Sequence, residues 1–107
     1  MQTVRKVFTT RKKLTKHDRY VSELCERISG NYDSVSVNVP VRVKKRLLGE
    51  VDILARKGSH VDIYEVKCSH RIIKAKKQLK RLGRYLKALN VEKSYFYCGS
   101  SGLLLVV

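Results

Sequence analysis

The sequence predicts one α/β domain, ordered helix, three strands, helix, two strands, and three observations carry that reading. Two stretches, residues 15–29 and 70–90, repeat apolar residues at the spacing of one helix face. Ser34–Val43 alternates apolar and polar residues almost without a break, as a half-buried strand does. Residues 49–55 and 61–67 are β-branched, apolar runs on either side of Lys57-Gly58-Ser59-His60, which reads as a tight hairpin turn.

Taken in order, residues 1–14 form a basic arm with Arg5, Lys6, Arg11, Lys12 and Lys13 and no clear period, with room for a short strand at 3–9. Such an arm either tracks a DNA backbone or is a solvated tail. Residues 15–107 form the domain proper. Thr15-Lys16-His17-Asp18 resembles a capping box with Asp in place of Glu or Gln, and opens a helix closed by Gly30-Asn31. Val21, Leu24, Cys25 and Ile28 make its apolar stripe. At 100° per residue, Asp18 falls at the edge of the buried face and Glu23 nearly opposite it, in water. Asp18 is therefore either a helix cap or a carboxylate offered to the sheet.

Pro40 argues that Ser34–Val43 lies at an edge or bends partway. Lys44-Lys45-Arg46 makes a basic turn into the hairpin. The face carrying Val51, Ile53, Ala55, Tyr64 and Val66 is apolar enough to pack on a helix. In the second helix Ile72, Ala75, Leu79, Leu82, Leu86 and Leu89 form the stripe, leaving Lys74, Lys76, Lys77, Lys80, Arg81, Arg84 and Lys87 elsewhere on its surface. That stripe is narrow and lacks Trp or Phe, which favours packing on the sheet over lying on a membrane surface. Two last strands, 93–98 and 103–107, flank Gly99-Ser100-Ser101-Gly102. The final one is continuously apolar, the pattern of a strand buried on both faces.

The hairpin carries the chemistry. If Gly58-Ser59 is a two-residue loop, Lys57 pairs with His60, and counting back sets Asp52 opposite Glu65. Alternation then puts Glu50, Asp52, Glu65 and Lys67 on one face, which they share with Leu54, Val61 and Ile63. Directly opposed like charges destabilise a sheet, so two facing carboxylates call for a counter-charge: a divalent metal, or Lys67 in a structural ion network. His60 and His70 bracket the motif as turn or surface residues.

Composition narrows the partner. The 107 residues carry 24 Lys and Arg against 9 Asp and Glu, for a net charge of +15. A merely soluble or thermophile-like surface would raise Asp and Glu alongside Lys, so a polyanion, attracted to the chain and shedding its counterions, is the expected partner. The 3 cysteines, Cys25, Cys68 and Cys98, have no Cys-x-x-Cys spacing, which argues against a disulfide framework or zinc cluster. No apolar run approaches the ~20 residues that span a bilayer, and the first residues lack a signal-peptide core. A soluble, intracellular, cytoplasmic protein without a small-molecule cofactor is expected.

Asp52, twelve intervening residues, then Glu65-Val66-Lys67 resembles the signature of the PD-(D/E)XK nucleases. The α-β-β-β-α-β-β order is similar to that superfamily's restriction-endonuclease-like core, and across residues 15–107 the chain is most similar to archaeal-type Holliday junction resolvases. Gly49-Glu50-Val51-Asp52 stands where the name-giving Pro-Asp would be. The resemblance implies a central mixed five-stranded sheet flanked by helices, in a homodimer of archaeal, viral or other intracellular origin. It implies an Mg²⁺-dependent endonuclease, with Mn²⁺ able to substitute, selective for branched DNA; a flap, single-strand or duplex-end nuclease, or a non-catalytic DNA-binding module on the same fold, are the alternatives. Catalysis would fall to Asp52, Glu65 and Lys67. The metal would sit on Asp52, Glu65 and the Val66 carbonyl, with Asp18 as the helix carboxylate. Glu50 would stand one pleat further out, and Gln78 occupies a position where some relatives turn a polar residue to the site. Arg11, Lys12, Lys13, Lys44, Lys45, Arg46, Lys74 and Lys77 are the expected DNA contacts.

Overall fold

A computed structural model of the chain describes residues 3–5 and 14–107. In chain order the elements are β1 (Thr3–Arg5), α1 (Lys16–Ile28), β2 (Ser34–Val43), β3 (Arg46–Lys57), β4 (His60–Lys67), α2 (Ile72–Gly83), β5 (Val91–Cys98) and β6 (Leu103–Val106). The strands form one mixed sheet in the order β1-β2-β3-β4-β5-β6. Five of them are those expected from residues 15–107. The sixth, β1, comes from the N-terminal segment and pairs parallel to the start of β2.

The helices cover opposite faces. Val21, Leu24, Cys25 and Ile28 of α1 pack with Val35, Val37, Ile53, Ala55, Tyr64, Val66 and Tyr97. Leu79 and Leu82 of α2, with Leu86 just beyond it, pack with Val41, Val51, Leu54, Val61 and Ile63. Of the apolar face expected to take one helix, Ile53, Ala55, Tyr64 and Val66 lie under α1, but Val51 lies in the α2 core, because side-chain alternation along β3 changes between them. The second helix is shorter than its period suggested, because α2 ends at Gly83 and a 3-10 turn follows at Lys87–Leu89. Leu86 is still buried and Leu89 still packs on the core, so the apolar rhythm outlasts the helix.

Turn chemistry sets the register. Gly58 takes φ 59 and Lys57 pairs with His60, as the two-residue loop required. The β2–β3 turn is less comfortable: Lys44 and Lys45 both adopt left-handed backbone, at φ 49 and φ 69, where a Cβ costs ~1–2 kcal/mol per residue. Pro40 lies on the part of β2 beyond its described pairing with β1, level with Glu50 of β3.

One strand departs from expectation. β6 is not buried on both faces; it is the edge of the sheet, with Leu103, Leu105 and Val106 exposed. Only Leu104 of the strand packs on the α1-side core, with Val107 just beyond the strand packed on the α2 side. Among the described residues no helix is long and apolar enough to cross a membrane.

Candidate functional site

The site lies where β3 and β4 part. Their paired rungs run from Lys57↔His60 to Ile53↔Tyr64 and stop there. Below that rung β3 stays with β2, while β4 stays with β5 to Lys67↔Cys98. Asp52 and Glu65 are the first residues past the last rung, as the hairpin count placed them. Across β2, the residue level with Asp52 is Asn38, in left-handed backbone at φ 51. The kink changes which face the valines take: Val35 and Val37 lie under α1, Val39 and Val41 under α2. Side-chain alternation is interrupted at the level where the strands separate.

Asp52 spans the gap with its side chain. The Val66 amide, with no β3 carbonyl to meet, donates to Asp52 Oδ2 at 2.8 Å. His17, on the first turn of α1, places Nε2 at 3.3 Å from the same oxygen and 3.0 Å from the Val66 carbonyl. Both partners are acceptors, so Nε2 carries the proton and donates to both. Its hydrogen bond to Asp52 raises the His17 pKa against the opposing effect of burial.

Glu65 is 2% exposed and Asp52 8%. Lys67 Nζ lies 2.9 Å from Glu65 Oε2 and donates to Gln78 Oε1 of α2 at 3.3 Å. Glu65 Oε1 is buried with no hydrogen-bond partner. Burial first, then the Asp52 charge beside it, pushes the Glu65 carboxyl up to about 7, against the pull of Lys67. A buried acceptor left open costs ~1–3 kcal/mol. The fork therefore holds an oxygen pair with less positive charge around it than it can use.

The other expected residues divide clearly. Asp18 completes the capping box: its amide donates to Thr15 Oγ1 at 3.1 Å and its carboxylate accepts the Thr15 amide at 3.2 Å. Of its two readings the cap is the one realised, and the α1 side chain that reaches the carboxylates is His17, one residue earlier. Glu50 is exposed, level with Pro40, away from the pair. His60 pairs with Glu92 at 2.7 Å at the far end of β4, and His70 is exposed.

Lys44, Lys45 and Arg46 are exposed at the β2–β3 turn. Lys74 and Lys77 line a groove of about 320 Å³ between α2 and β3, with Leu48, Gly49, Gln78 and Arg81. Arg81 Nη2 donates to the Leu48 carbonyl at 2.8 Å, tying helix to strand. Positions 74, 77, 78 and 81 follow the i, i+3, i+4, i+7 spacing, a signal that could have added Arg81 to the expected set. Gln78, on the wall of this groove, also accepts from Lys67 Nζ, which ties the groove to the lysine beside the acidic pair. Arg11, Lys12 and Lys13 lie outside the described residues.

The side chains present suit a hard divalent cation. Among the described residues no group of three or more His, Cys, Asp or Glu forms a ready-made metal cluster. Mg²⁺ does not need one, because it keeps several waters and is held by one or two carboxylates plus substrate phosphate oxygens. Asp52, Glu65 with its open Oε1, and the Val66 carbonyl would supply the protein's share. Compared with protein-family models and with curated proteins, the chain matches none.

Proposed function

We propose that this chain is a divalent-metal-dependent DNA endonuclease of the PD-(D/E)XK type, acting on branched DNA. The observation that carries the reading is the fork itself: two buried carboxylates at the end of a broken ladder, one with an open oxygen, beside a lysine and a basic groove. A purely structural ion pair needs neither the open acceptor nor the break in the sheet.

Mg²⁺ held there would lower the pKa of a bound water and neutralise charge on the scissile phosphate. The chain's own groups do the rest. Lys67, held between Glu65 and Gln78, presents its ammonium where charge builds on the phosphate oxygens during attack. His17 fixes the orientation of the Asp52 carboxylate and the Val66 carbonyl. Lys74, Lys77 and Arg81 line a groove that fits one sugar-phosphate strand leading to the fork.

The test is a panel of labelled four-way junction, flap, nicked and linear duplex DNA, incubated with Mg²⁺, with Mn²⁺ and with chelator. Metal-dependent nicking with a preference for the junction is expected. Cleavage of flaps or duplex ends alone would move the substrate assignment, and tight DNA binding without metal-dependent cleavage of any substrate would reduce the chain to a DNA-binding module.

A further inference from the structure

We infer that a cavity on the α1 face of the sheet, at the far end of β4 from the fork, binds a guanine base carried on a sugar phosphate. This does not rest on the endonuclease reading, because none of the fork's residues takes part.

The cavity and the fork open on opposite faces of one strand. Tyr64 packs in the α1-side core and Ile63 in the α2-side core, so alternation turns Asp62 to the α1 side and Glu65 away from it. Lys67, which shares the Glu65 face, reaches Gln78 of α2. On the other face α1 stops at Ile28. Past its end Tyr32 and Leu104 line a cavity of about 380 Å³, together with Asp62, Tyr95 and Lys57. That volume is within the range of small-ligand sites.

Asp62 selects the edge of the base. It is 7% exposed and forms no ion pair among the described residues. Its two donors are neutral: the Tyr32 hydroxyl on Oδ2 and the Lys93 amide on Oδ1. A carboxylate oxygen accepts about two hydrogen bonds, so each oxygen keeps one acceptor position. Two acceptors side by side call for two adjacent N–H donors. Guanine carries such a pair on its Watson–Crick edge, whereas adenine and cytosine offer one amino group and thymine one imino N–H. The Tyr32 proton is already given to Asp62, so its oxygen accepts from the Tyr64 hydroxyl and the chain is fixed in one direction.

The ring and the phosphate have their own partners. Tyr64 and Tyr95 stack with centroids 4.6 Å apart and planes 10° from parallel. Tyr95 is half-buried and lines the cavity, so a base laid against it continues the stack. Lys57 is exposed at the rim and forms no ion pair among the described residues, while His60 beside it is taken up by Glu92 at 2.7 Å. A phosphate on the sugar would meet Lys57. The turn carrying both residues is held in advance. The Gly58 amide donates to Asp33 Oδ2 at 2.8 Å, and the Asn90 side chain donates to the Ser59 carbonyl at 3.2 Å. Little ordering is then left for binding to supply.

Edge, ring and phosphate contacts together describe a guanine nucleotide, either free or unpaired in a nucleic-acid strand. Titrating isotope-labelled protein with guanosine monophosphate, without metal, and following amide NMR shifts tests the site apart from any cleavage. Shifts at Tyr32, Asp62, Lys93 and Tyr95 are expected. Inosine monophosphate, which lacks the amino group, should bind at least about tenfold more weakly, the loss of one hydrogen bond to a charged group. Lys57→Ala should weaken the nucleotide and leave guanosine unchanged, and Tyr95→Leu should weaken both. A single-stranded oligonucleotide with one guanine among thymines, set against its inosine counterpart, separates the two sources. The same shifts with the same inosine penalty place the base in a strand, and shifts with the mononucleotide alone make the ligand free. No shift at these amides with either ligand, or equal binding of guanosine and inosine monophosphates, would overturn the site while leaving the nuclease reading standing.

Discussion

Glu65 is the residue at which burial and charge conflict. Its carboxyl moves from an ordinary 4.5 to about 7 on burial beside Asp52. The folded chain thus holds that proton more tightly than the unfolded chain does, so the contribution is full below 4.5 and fades as pH rises through about 7. His17, also raised, acts in the same sense above its ordinary 6.5. Metal-free protein should therefore melt higher at pH 5 than at pH 8. Glu65→Gln, which removes the buried charge and nearly keeps the shape, should raise the pH 8 melting temperature and flatten that slope. A variant that melted lower than wild type at pH 8 would contradict the reading of an under-compensated carboxylate. A third buried carboxylate has its hydrogen-bond donors in place: Asp62 accepts the Tyr32 hydroxyl at 2.6 Å and the Lys93 amide at 3.1 Å. Tyr32→Phe should cost ~1.5–3 kcal/mol in urea unfolding, the range for a hydrogen bond to a charged group, without changing metal binding at the fork.

Hairpin counting found Asp52, Glu65 and Lys67 because a two-residue turn with Gly58 leaves the register no freedom. His17 was hidden for a different reason. It meets Asp52 and Val66 across 35 and 49 residues of sequence, and rotation about the helix axis alone favoured its neighbour. The signal for Asp18 was present in the capping pattern from Thr15.

At the scale of elements, helix stripes and strand alternation were readable because burial follows them directly. The fork was not. It depends on β3 and β4 following different neighbours, and no local pattern records which strand a strand stays with. β6 was misread because a continuous apolar run looks the same in a strand buried on both faces and in an edge strand. The long second helix was over-extended since Leu86 and Leu89 remain in the core after Gly83 has ended the regular turns. The β2–β3 turn offers a test that separates fold from function. Lys45→Gly relieves a left-handed Cβ and should stabilise the domain by ~1 kcal/mol, while removing one charge from the expected DNA surface. Calorimetry and DNA titration should then move in opposite directions, and a loss of stability would show that the turn geometry is wrong.

At the scale of the molecule, a chain of net charge +15 buries three carboxylates among its described residues, two of them at the fork, and the uncharged stretch falls at one sheet edge. Binding driven by such a charge should fall steeply with salt, each phosphate contact contributing a slope of roughly −0.9 in the logarithm of affinity against that of salt. On the proposed reading, affinity would belong to the lysines and arginines, and hydrolysis to the fork. Cleavage and binding of a labelled four-way junction, measured side by side in Mg²⁺ for wild type, Asp52→Ala and Glu65→Ala, separate the two. Both variants should bind the junction at least as tightly as wild type and cut it at no measurable rate. Cleavage that survives either substitution in folded protein would contradict the assignment of the fork as the seat of the chemistry.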